Sequence, residues 1–252
     1  MSILQTNNMQ GSLRGGAAAP RLDKRLRMVA NLLRHNRKLI DVGTDHGYLP
    51  AFMVIMGYSP CAAATDINPG PLENARATIE KYGIADRVSL ILSDGLDNVP
   101  PDGEEIVMAG MGGELMCEII GRAPWLKDSG KALVLQPMTK AEELRKYLAD
   151  NGFVIEKETA VRDGSHAYLA LRAVYSGETK NVSKAYFYIG ELLSGEISDD
   201  IIFYTEKLLS RIKHKADALN NTEDFKEEAK ELYEIYDEIS EKLQVSLRDF
   251  NK

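Results

Sequence analysis

Apolar positions recur with two different periods along residues 21–151, and the two periods alternate. Leu22, Leu26, Val29 and Leu33 follow one another at spacings of four, three and four residues, which predicts an amphipathic helix. Short apolar runs that end in turn signals then alternate with helical segments. The predicted strands are 38–42, 61–65, 88–92, 105–108 and 132–135, and the predicted helices are 49–56, 72–82, a segment ending at 120, and 140–151. This order is typical of a parallel sheet with helices on both faces.

The pattern changes after residue 151. Two strand-like runs, 153–159 and 168–174, with a loop at 163–165, predict an antiparallel hairpin at one edge of the sheet. Strand signals then end, and two charged helical segments follow, at 198–220 and 222–245, with Thr222 as the predicted N-cap of the second. Their heptad seams are Thr205, Leu208, Ile212, Lys215 and Leu219 in the first and Phe225, Ala229, Leu232, Tyr236, Ile239 and Leu243 in the second. We therefore predict a C-terminal α-helical coiled-coil hairpin.

Length and composition agree with one α/β domain and an appendage. The chain has 252 residues, of which 44% are hydrophobic and 27% charged, as in ordinary soluble globular proteins. No apolar run reaches the ~18 residues of a membrane-spanning helix. Cys61 and Cys117 are far apart and lack metal-ligand spacing, so we expect no disulfide, no metal site and a cytoplasmic location. The predicted units are a flexible extension at 1–20, the α/β domain at 21–176 and the coiled-coil domain at 177–252.

Charge is distributed unevenly along the chain. The formal net charge is −7, yet residues 14–38 carry +7, so the remainder carries −14. The basic residues of this segment are Arg14, Arg21, Lys24, Arg25, Arg27, Arg34, Arg37 and Lys38. A local positive excess is typical of a contact with a polyanion. A solvated helix face is the alternative.

Candidate chemistry lies at the predicted strand ends, because ligands of doubly wound sheets bind beyond the carboxyl ends of the strands. The first strand contains Asp41 and leads into a turn with Gly43 and Gly47. Asp45 stands where the nicotinamide fingerprint G-x-G-x-x-G has its second glycine. Its negative charge suits a cationic ligand such as S-adenosylmethionine better than a pyrophosphate.

Acidic residues also close the second and third strands. Asp66 lies 23 residues after Gly43, where a carboxylate accepts hydrogen bonds from both ribose hydroxyls of a nucleoside. Asp94, followed by Gly95, is placed to accept from the exocyclic amine of adenine. Aspartates are common in caps and turns, yet their presence at three successive strand ends indicates a nucleoside site.

The fourth strand leads into the sequence AGMGG at 109–113. Its glycines, Gly110, Gly112 and Gly113, let the backbone approach a flat ligand closely, and Met111 offers an adaptable apolar contact. We predict that this segment forms the floor of the pocket for a methyl acceptor. A glycine-rich turn into a helix is the alternative.

Five segments in this order resemble the bacterial tRNA (adenine(22)-N1)-methyltransferases. They are DVGTDHGYLP (41–50), ATDINPGPLENA (64–75), SDGL (93–96), AGMGG (109–113) and LQPM (135–138). The resemblance covers about 21–174, and the helical tail fits in kind. Gly47 departs from it, because the family more often has alanine there, and so does the extension at 1–20. The resemblance implies a Rossmann-like class I methyltransferase domain with a seven-stranded sheet, followed by a coiled-coil domain. It also implies transfer of a methyl group from S-adenosyl-L-methionine to N1 of adenine 22 in tRNA, with S-adenosyl-L-homocysteine as product and no metal.

The family's functional residues carry over onto this sequence. The cofactor-binding residues would be Asp41, Gly43, Asp45, His46, Gly47, Asp66, Ile67, Asp94, Gly95 and Gly110. The catalytic pocket would contain Asp45, His46, Tyr48, Met111, Gly112, Gly113, Gln136 and Pro137. Within it, His46 or Tyr48 would orient or stack the base, and a structural role for His46 in the turn is the alternative.

The partner implied by the resemblance is tRNA, held through phosphate contacts. The predicted RNA-binding residues are Arg21, Lys24, Arg25, Arg27, Lys207, Arg211, Lys213 and Lys215. The helical hairpin would embrace the tRNA body, or would instead form a homodimer, since its second helix is strongly acidic. Alternative functions are a class I methyltransferase for a small molecule or protein, a nicotinamide oxidoreductase, and a non-catalytic S-adenosylmethionine-binding adaptor.

Overall fold

The computed structural model describes residues 18–179 and 182–250, so most of the predicted extension at 1–20 lies outside the described part. The strands are β1 (Leu39–Val42), β2 (Ala62–Asp66), β3 (Val88–Leu92), β4 (Glu105–Gly112), β5 (Ala132–Thr139), β6 (Phe153–Asp163) and β7 (His166–Tyr175). The helices are α1 (Lys24–Leu32), α2 (Tyr48–Ile55), α3 (Pro69–Lys81), α4 (Gly113–Arg122), α5 (Ala141–Asp150), α6 (Lys184–Ile189), α7 (Asp199–Asn220) and α8 (Lys226–Phe250). None of the helices in these ranges has the length and apolar character needed to cross a bilayer.

The strands form one seven-stranded sheet in the order β3-β2-β1-β4-β5-β7-β6. Strands β1 to β5 pair in parallel, and the β6–β7 hairpin adds an antiparallel edge next to β5. The prediction of a Rossmann-like sheet with an antiparallel edge hairpin is confirmed. Because the strand order reverses between β1 and β4, a crevice for a ligand is expected beyond the carboxyl ends of these two strands.

Two segments predicted as loops belong to strands. The fourth and fifth strands were expected to end at Met108 and Leu135, but β4 and β5 continue through the glycine segment and through Gln136 and Pro137. The pairing between β4 and β5 shifts register on both sides of Met111. Glycine and proline signal turns in a sequence, but they are also accommodated at a β-bulge, which bends a strand without ending it. The glycine segment is thus the bulged end of a strand and leads directly into α4.

Helices cover both faces of the sheet. On one face, Val29 of α1, Met53 of α2 and Ile79 of α3 are fully or nearly buried in one apolar cluster. On the other face, Met116 of α4 and Leu144 of α5 are buried in a second cluster. The amphipathic spacing of these segments explains the arrangement, since each helix places its apolar face on the sheet. The α1 helix begins at an N-cap, Asp23, whose carboxylate accepts from the Leu26 amide.

The C-terminal helices share a third apolar cluster with the edge hairpin. Ala160 of β6 and Leu169 of β7 are buried together with residues of α6, α7 and α8. The α7 helix packs against α8 as predicted, but it also packs on the hairpin, and the short α6 was not predicted. The tail is therefore a layer on the sheet edge as well as a helical hairpin.

The predicted seam is wrong at two positions. Phe225 is 48% exposed in a short 3-10 turn, and Lys215 is exposed and forms an ion pair with Glu228. Ala216 is buried on α7 instead. The heptad pattern predicted the wrong buried positions on α7, because this helix packs against the β6–β7 hairpin as well as against α8. Thr222 begins the 3-10 turn without a side-chain cap bond, so its prediction as the N-cap of the long helix is also wrong.

A buried ion pair joins the tail to the α/β domain. The Nε of Arg145 on α5 lies 2.8 Å from the Oε1 of Glu158 on β6, and both side chains are 0% exposed. Arg145 also donates to the carbonyl oxygens of Phe187 and Tyr188 in α6, at 3.0 and 2.8 Å. A Cβ at Gly190 would overlap the Glu158 carboxylate, so the chain after α6 turns closely over the pair. Residues of both predicted units thus complete one buried polar cluster.

Part of the basic segment at 14–38 has a structural role. Arg34, Arg37 and Lys38 form ion pairs with Glu105, Glu104 and Asp102, respectively. Glu105 is the first residue of β4, so these pairs lie at the amino edge of the sheet, opposite the expected crevice. The predicted polyanion surface is therefore smaller than the charge count suggests.

Candidate active site

Asp41 is a buried carboxylate at the centre of the sheet, near the crevice. It lies in β1 and is 7% exposed. Burial raises its pKa to about 6 from the ordinary 3.8, against the lowering effects of a side-chain hydrogen bond with Thr44 and of the positive charge of Arg25. In the protein without a ligand, burial therefore disfavours the ionised form of Asp41. A cation bound nearby would stabilise that form.

The turn after β1 and the bulged end of β4 contact each other. Gly43 has a φ of 73°, and a Cβ there would overlap the Met111 Cε methyl group. Met111 thus lies directly over the bare backbone of the turn. Gly47 has a φ of 64° and lies so close to α3 that a Cβ would be 3.1 Å from the Ala75 Cβ. The glycine that departs from the family pattern therefore suits this crowded, left-handed position.

Asp45, His46 and Tyr48 form an exposed group where the turn after β1 leads into α2. The His46 Nε2 lies 3.3 Å from the Asp45 Oδ2, and the His46 ring stacks on Tyr48 with 5.1 Å between ring centroids. The side chains of His46 and Asp45 are 44% and 75% exposed. Both rings are therefore partly exposed.

Asp66 and Asp94 lie at neighbouring strand ends, as predicted. Asp66 is the last residue of β2, and its Oδ1 accepts from the Asn68 amide at 2.7 Å. Asp94 follows β3 and accepts from both terminal nitrogens of Arg122, at 2.8 and 3.2 Å. The Arg122 hydrogen bond holds the pKa of Asp94 below its ordinary value, so this carboxylate is ionised at neutral pH. Arg122 thus holds the Asp94 carboxylate in place. The sequence did not reveal this partner.

Arg25 lies beside Gln136 and Gly110, two residues of the predicted site. Its Nη1 donates to the Gln136 Oε1 at 3.0 Å, and the Gly110 amide donates to the same oxygen at 3.0 Å. Gln136 is 0% exposed, and Arg25 is half-buried. Arg25, predicted as an RNA-binding residue, is thus half-buried beside two residues of the predicted site. Nothing in the local sequence links Arg25 to Gln136, because 111 residues separate them.

The other predicted RNA-binding residues occupy different surroundings. Lys24 donates to the Arg162 carbonyl oxygen and lies 3.9 Å from Asp163, whereas Lys207 donates to the Ser165 carbonyl oxygen, so both reach the β6–β7 turn. Arg21, Arg27, Arg211 and Lys213 are exposed. Lys215 is paired with Glu228. The structure thus brings α1 and α7 cations together at the tip of the edge hairpin.

Three apolar side chains are exposed around the crevice. Tyr48 is 41% exposed, Ile67 58% and Met138 50%. Ile67 follows Asp66, and Met138 lies in β5 beside Pro137. Large apolar side chains with acidic acceptors nearby are typical of a small-molecule site rather than of a solvated surface. The described residues contain no group of three or more His, Cys, Asp and Glu side chains suited to hold a metal ion.

Comparisons with known proteins agree with this geometry. The family model "Methyltransferase domain" matches residues 22–171. The tRNA (adenine(22)-N(1))-methyltransferase of Bacillus subtilis is 27% identical over 224 residues, which are 82% of this chain and 92% of that protein. The crystal structure of the B. subtilis m1A22 tRNA methyltransferase TrmK has a TM-score of 0.75 at 25% identity and covers 90% of this chain and 98% of its own. Streptococcus pneumoniae Sp1610 in complex with S-adenosyl-L-methionine has a TM-score of 0.75 at 28% identity and covers 88% of this chain and 100% of its own.

The sheet, the acidic strand ends and the family model define a class I methyltransferase, and the chain belongs to the methyltransferase domain family. Within that class it is a member of the bacterial tRNA (adenine(22)-N1)-methyltransferase family, as the resemblance of its motifs predicted.

Proposed function

We propose that this protein transfers a methyl group from S-adenosyl-L-methionine to N1 of adenine 22 in tRNA. The observation that carries the proposal is the placement of Asp41, Asp66 and Asp94 at the carboxyl ends of three neighbouring strands, with Met111 over the first turn. Membership in the family and the named activity of the Bacillus subtilis relative support the choice of acceptor.

The acidic strand ends fit the donor. Asp66 has one oxygen free of the Asn68 bond and would accept from the ribose, Asp94 would accept from the adenine amine, and Ile67 would pack on the purine. Asp41 and Asp45 would face the positively charged part of the donor. Bound S-adenosylmethionine supplies an electrophilic methyl group on a sulfonium sulfur.

The acceptor side needs positioning more than a base. Adenine N1 carries a lone pair and no proton, so transfer requires an in-line approach rather than deprotonation. His46 and Tyr48 would stack or orient the base, and Met111 and Pro137 would contact it from the floor. The methylated base is cationic, and the Asp45 carboxylate would stabilise the charge as it develops.

The two parts of the chain divide the work in this proposal. The unit at 21–176 would bind the donor, and the helical unit at 177–252 would help to hold the tRNA body. Arg145 of the first unit donates to two carbonyl oxygens of the second. Lys24, Lys207 and Arg211 would make phosphate contacts that position the substrate. Sedimentation of the pure protein tests the alternative in which the helical tail forms a homodimer.

The decisive test uses labelled donor and tRNA transcripts that lack modifications. We expect the label at adenine 22 and none in a transcript with guanine at that position. Label in a metabolite pool or in protein, with tRNA unmodified, would support a different class I methyltransferase. Donor binding without transfer to any RNA would support the adaptor.

Substitutions should separate donor binding from transfer. Asp66→Asn is expected to weaken donor affinity about tenfold, because a carboxylate accepts ribose hydroxyls more strongly than an amide oxygen. Tyr48→Ala should leave donor affinity within about twofold and lower kcat on tRNA about tenfold through lost stacking. Calorimetric titration of the donor and steady-state kinetics measure the two effects. Equal losses of both properties in both variants would contradict this division.

A further inference from the structure

A cleft of about 470 Å³ lies beside the candidate active site. The end of β5 and the start of α5 form one wall, and the start of β7 and residues 204–211 of α7 form the other. Residues that define it are Pro137, Lys140, His166, Tyr168, Lys207 and Arg211. Its size falls within the range of small-molecule and nucleotide sites.

The cleft continues from the predicted acceptor pocket. Pro137 belongs to both, and Met138 beside it is 50% exposed. Gly113, at the end of the glycine segment, lies so close to Lys140 that a Cβ would overlap the Lys140 carbonyl oxygen. A polymer whose target base enters the acceptor pocket would therefore pass a neighbouring residue into this cleft.

The lining combines cations with aromatic rings. The lining contains three cationic residues, Lys140, Lys207 and Arg211, and one acidic residue, Glu142. This positive excess occurs in a chain whose net charge is −7. His166 and Tyr168 stack with 6.1 Å between ring centroids. Proteins bind single-stranded nucleic acid with this combination, because cations follow the phosphates and rings stack on the bases.

The cleft wall is held in shape by the edge hairpin. The Lys207 Nζ donates to the Ser165 carbonyl oxygen at 2.5 Å, and the Phe203 ring lies under both Lys207 and Arg162, at 5.3 and 4.1 Å. These contacts fix the Lys207 ammonium group of α7 at the tip of β6–β7. The arrangement exists before a substrate binds, which lowers the ordering cost of binding.

We propose that this cleft binds a nucleotide adjacent to the target adenine in the tRNA, with its base on Tyr168 and its phosphates on Lys207 and Arg211. The proposal rests on the tRNA methylation proposed above. N1 lies on the Watson–Crick edge, so the target must leave its stack before it reacts. A stacking site for the neighbour would compensate for the lost stacking and fix the register of the strand.

The first test neutralises two exposed cations. Lys207→Ala/Arg211→Ala is expected to raise KM for tRNA about tenfold, to leave donor affinity unchanged, and to lower the slope of log affinity against log salt by about two. The matched control is Lys127→Ala/Lys230→Ala, which removes the same charge from exposed positions outside the cleft. If the pair and its control have the same KM and salt slope, the cleft does not bind the strand.

The second test addresses stacking. Tyr168→Ala should weaken tRNA binding about tenfold, whereas Tyr168→Phe, which keeps the ring, should bind within about twofold of the wild type. Melting temperatures verify that both variants fold. Equal binding by the two variants would overturn the stacking role. If wild-type protein transfers no methyl group to tRNA, the proposed function fails; if it does and both tests fail, only the cleft inference fails.

Discussion

Arg145→Met is expected to lower the free energy of unfolding by about 3–5 kcal/mol, because it leaves the Glu158 carboxylate buried without its partner. Both side chains are 0% exposed, and burial already raises the pKa of Glu158. The variant also removes the donors to the Phe187 and Tyr188 carbonyl oxygens. Urea unfolding at pH 7.5 measures the loss, which should shrink in acid as Glu158 takes up a proton.

The double variant Arg145→Met/Glu158→Leu is the control for this effect. It removes both charges, so its loss should be clearly smaller than that of the single variant. The Arg145 Nη2 is buried without a hydrogen-bond partner among the described residues, so part of the cost of this cluster is already present in the wild type. Equal losses in the single and double variants would show that packing, rather than the unpaired charge, dominates.

The same cluster changes how the role of the tail should be tested. Deletion of all residues after Gly177 would remove the α6 carbonyl oxygens to which Arg145 donates. It would also expose the apolar side chains of Ala160 and Leu169 to solvent. A loss of tRNA binding in that truncated chain would then mix lost contacts with lost folding. Point changes on exposed α7 positions, such as Lys207 and Arg211, test the interaction without uncovering this core.

Hydrophobic periodicity was sufficient to predict the sheet and its edge hairpin. Alternating strands and amphipathic helices have few solutions once connections are short and right-handed. The three strand-end aspartates could be found for the same reason, since parallel strands bring their carboxyl ends to one edge. Their side-chain partners could not, as Arg122 beside Asp94 illustrates.

The features that the sequence did not reveal depend on contacts between distant residues. The bulge around Met111 depends on pairing with β5, and the position of Arg25 depends on Gln136. Glycine and basic residues have several structural uses, and their local pattern does not distinguish among them. Tertiary packing selected a bulged strand over a loop, and it placed Arg25 beside Gln136.

Asp41→Asn is expected to stabilise the free protein and to weaken donor binding. The pKa of Asp41 is raised by burial from 3.8 to about 6, so folding favours its protonated form. The wild type therefore loses stability as pH rises from about 4 to above 6, up to about 3 kcal/mol, and the asparagine variant does not. At pH 7.5 urea unfolding should give the variant a free energy of unfolding about 2–3 kcal/mol higher than that of the wild type. Below pH 4 the two proteins should have the same free energy of unfolding.

Donor affinity should change in the opposite direction. The cationic donor favours the ionised Asp41, so wild-type affinity should fall as pH drops below about 6, whereas Asp41→Asn should bind at least tenfold more weakly at pH 7.5 and show no such dependence. Asp45→Asn is the control for stability, because Asp45 is 75% exposed and should leave unfolding unchanged. A stabilised variant with full donor affinity would remove Asp41 from the donor site. A destabilised variant would instead show that the hydrogen bond with Thr44 outweighs the desolvation of the carboxylate, since stability and binding make opposing demands on this one buried acid.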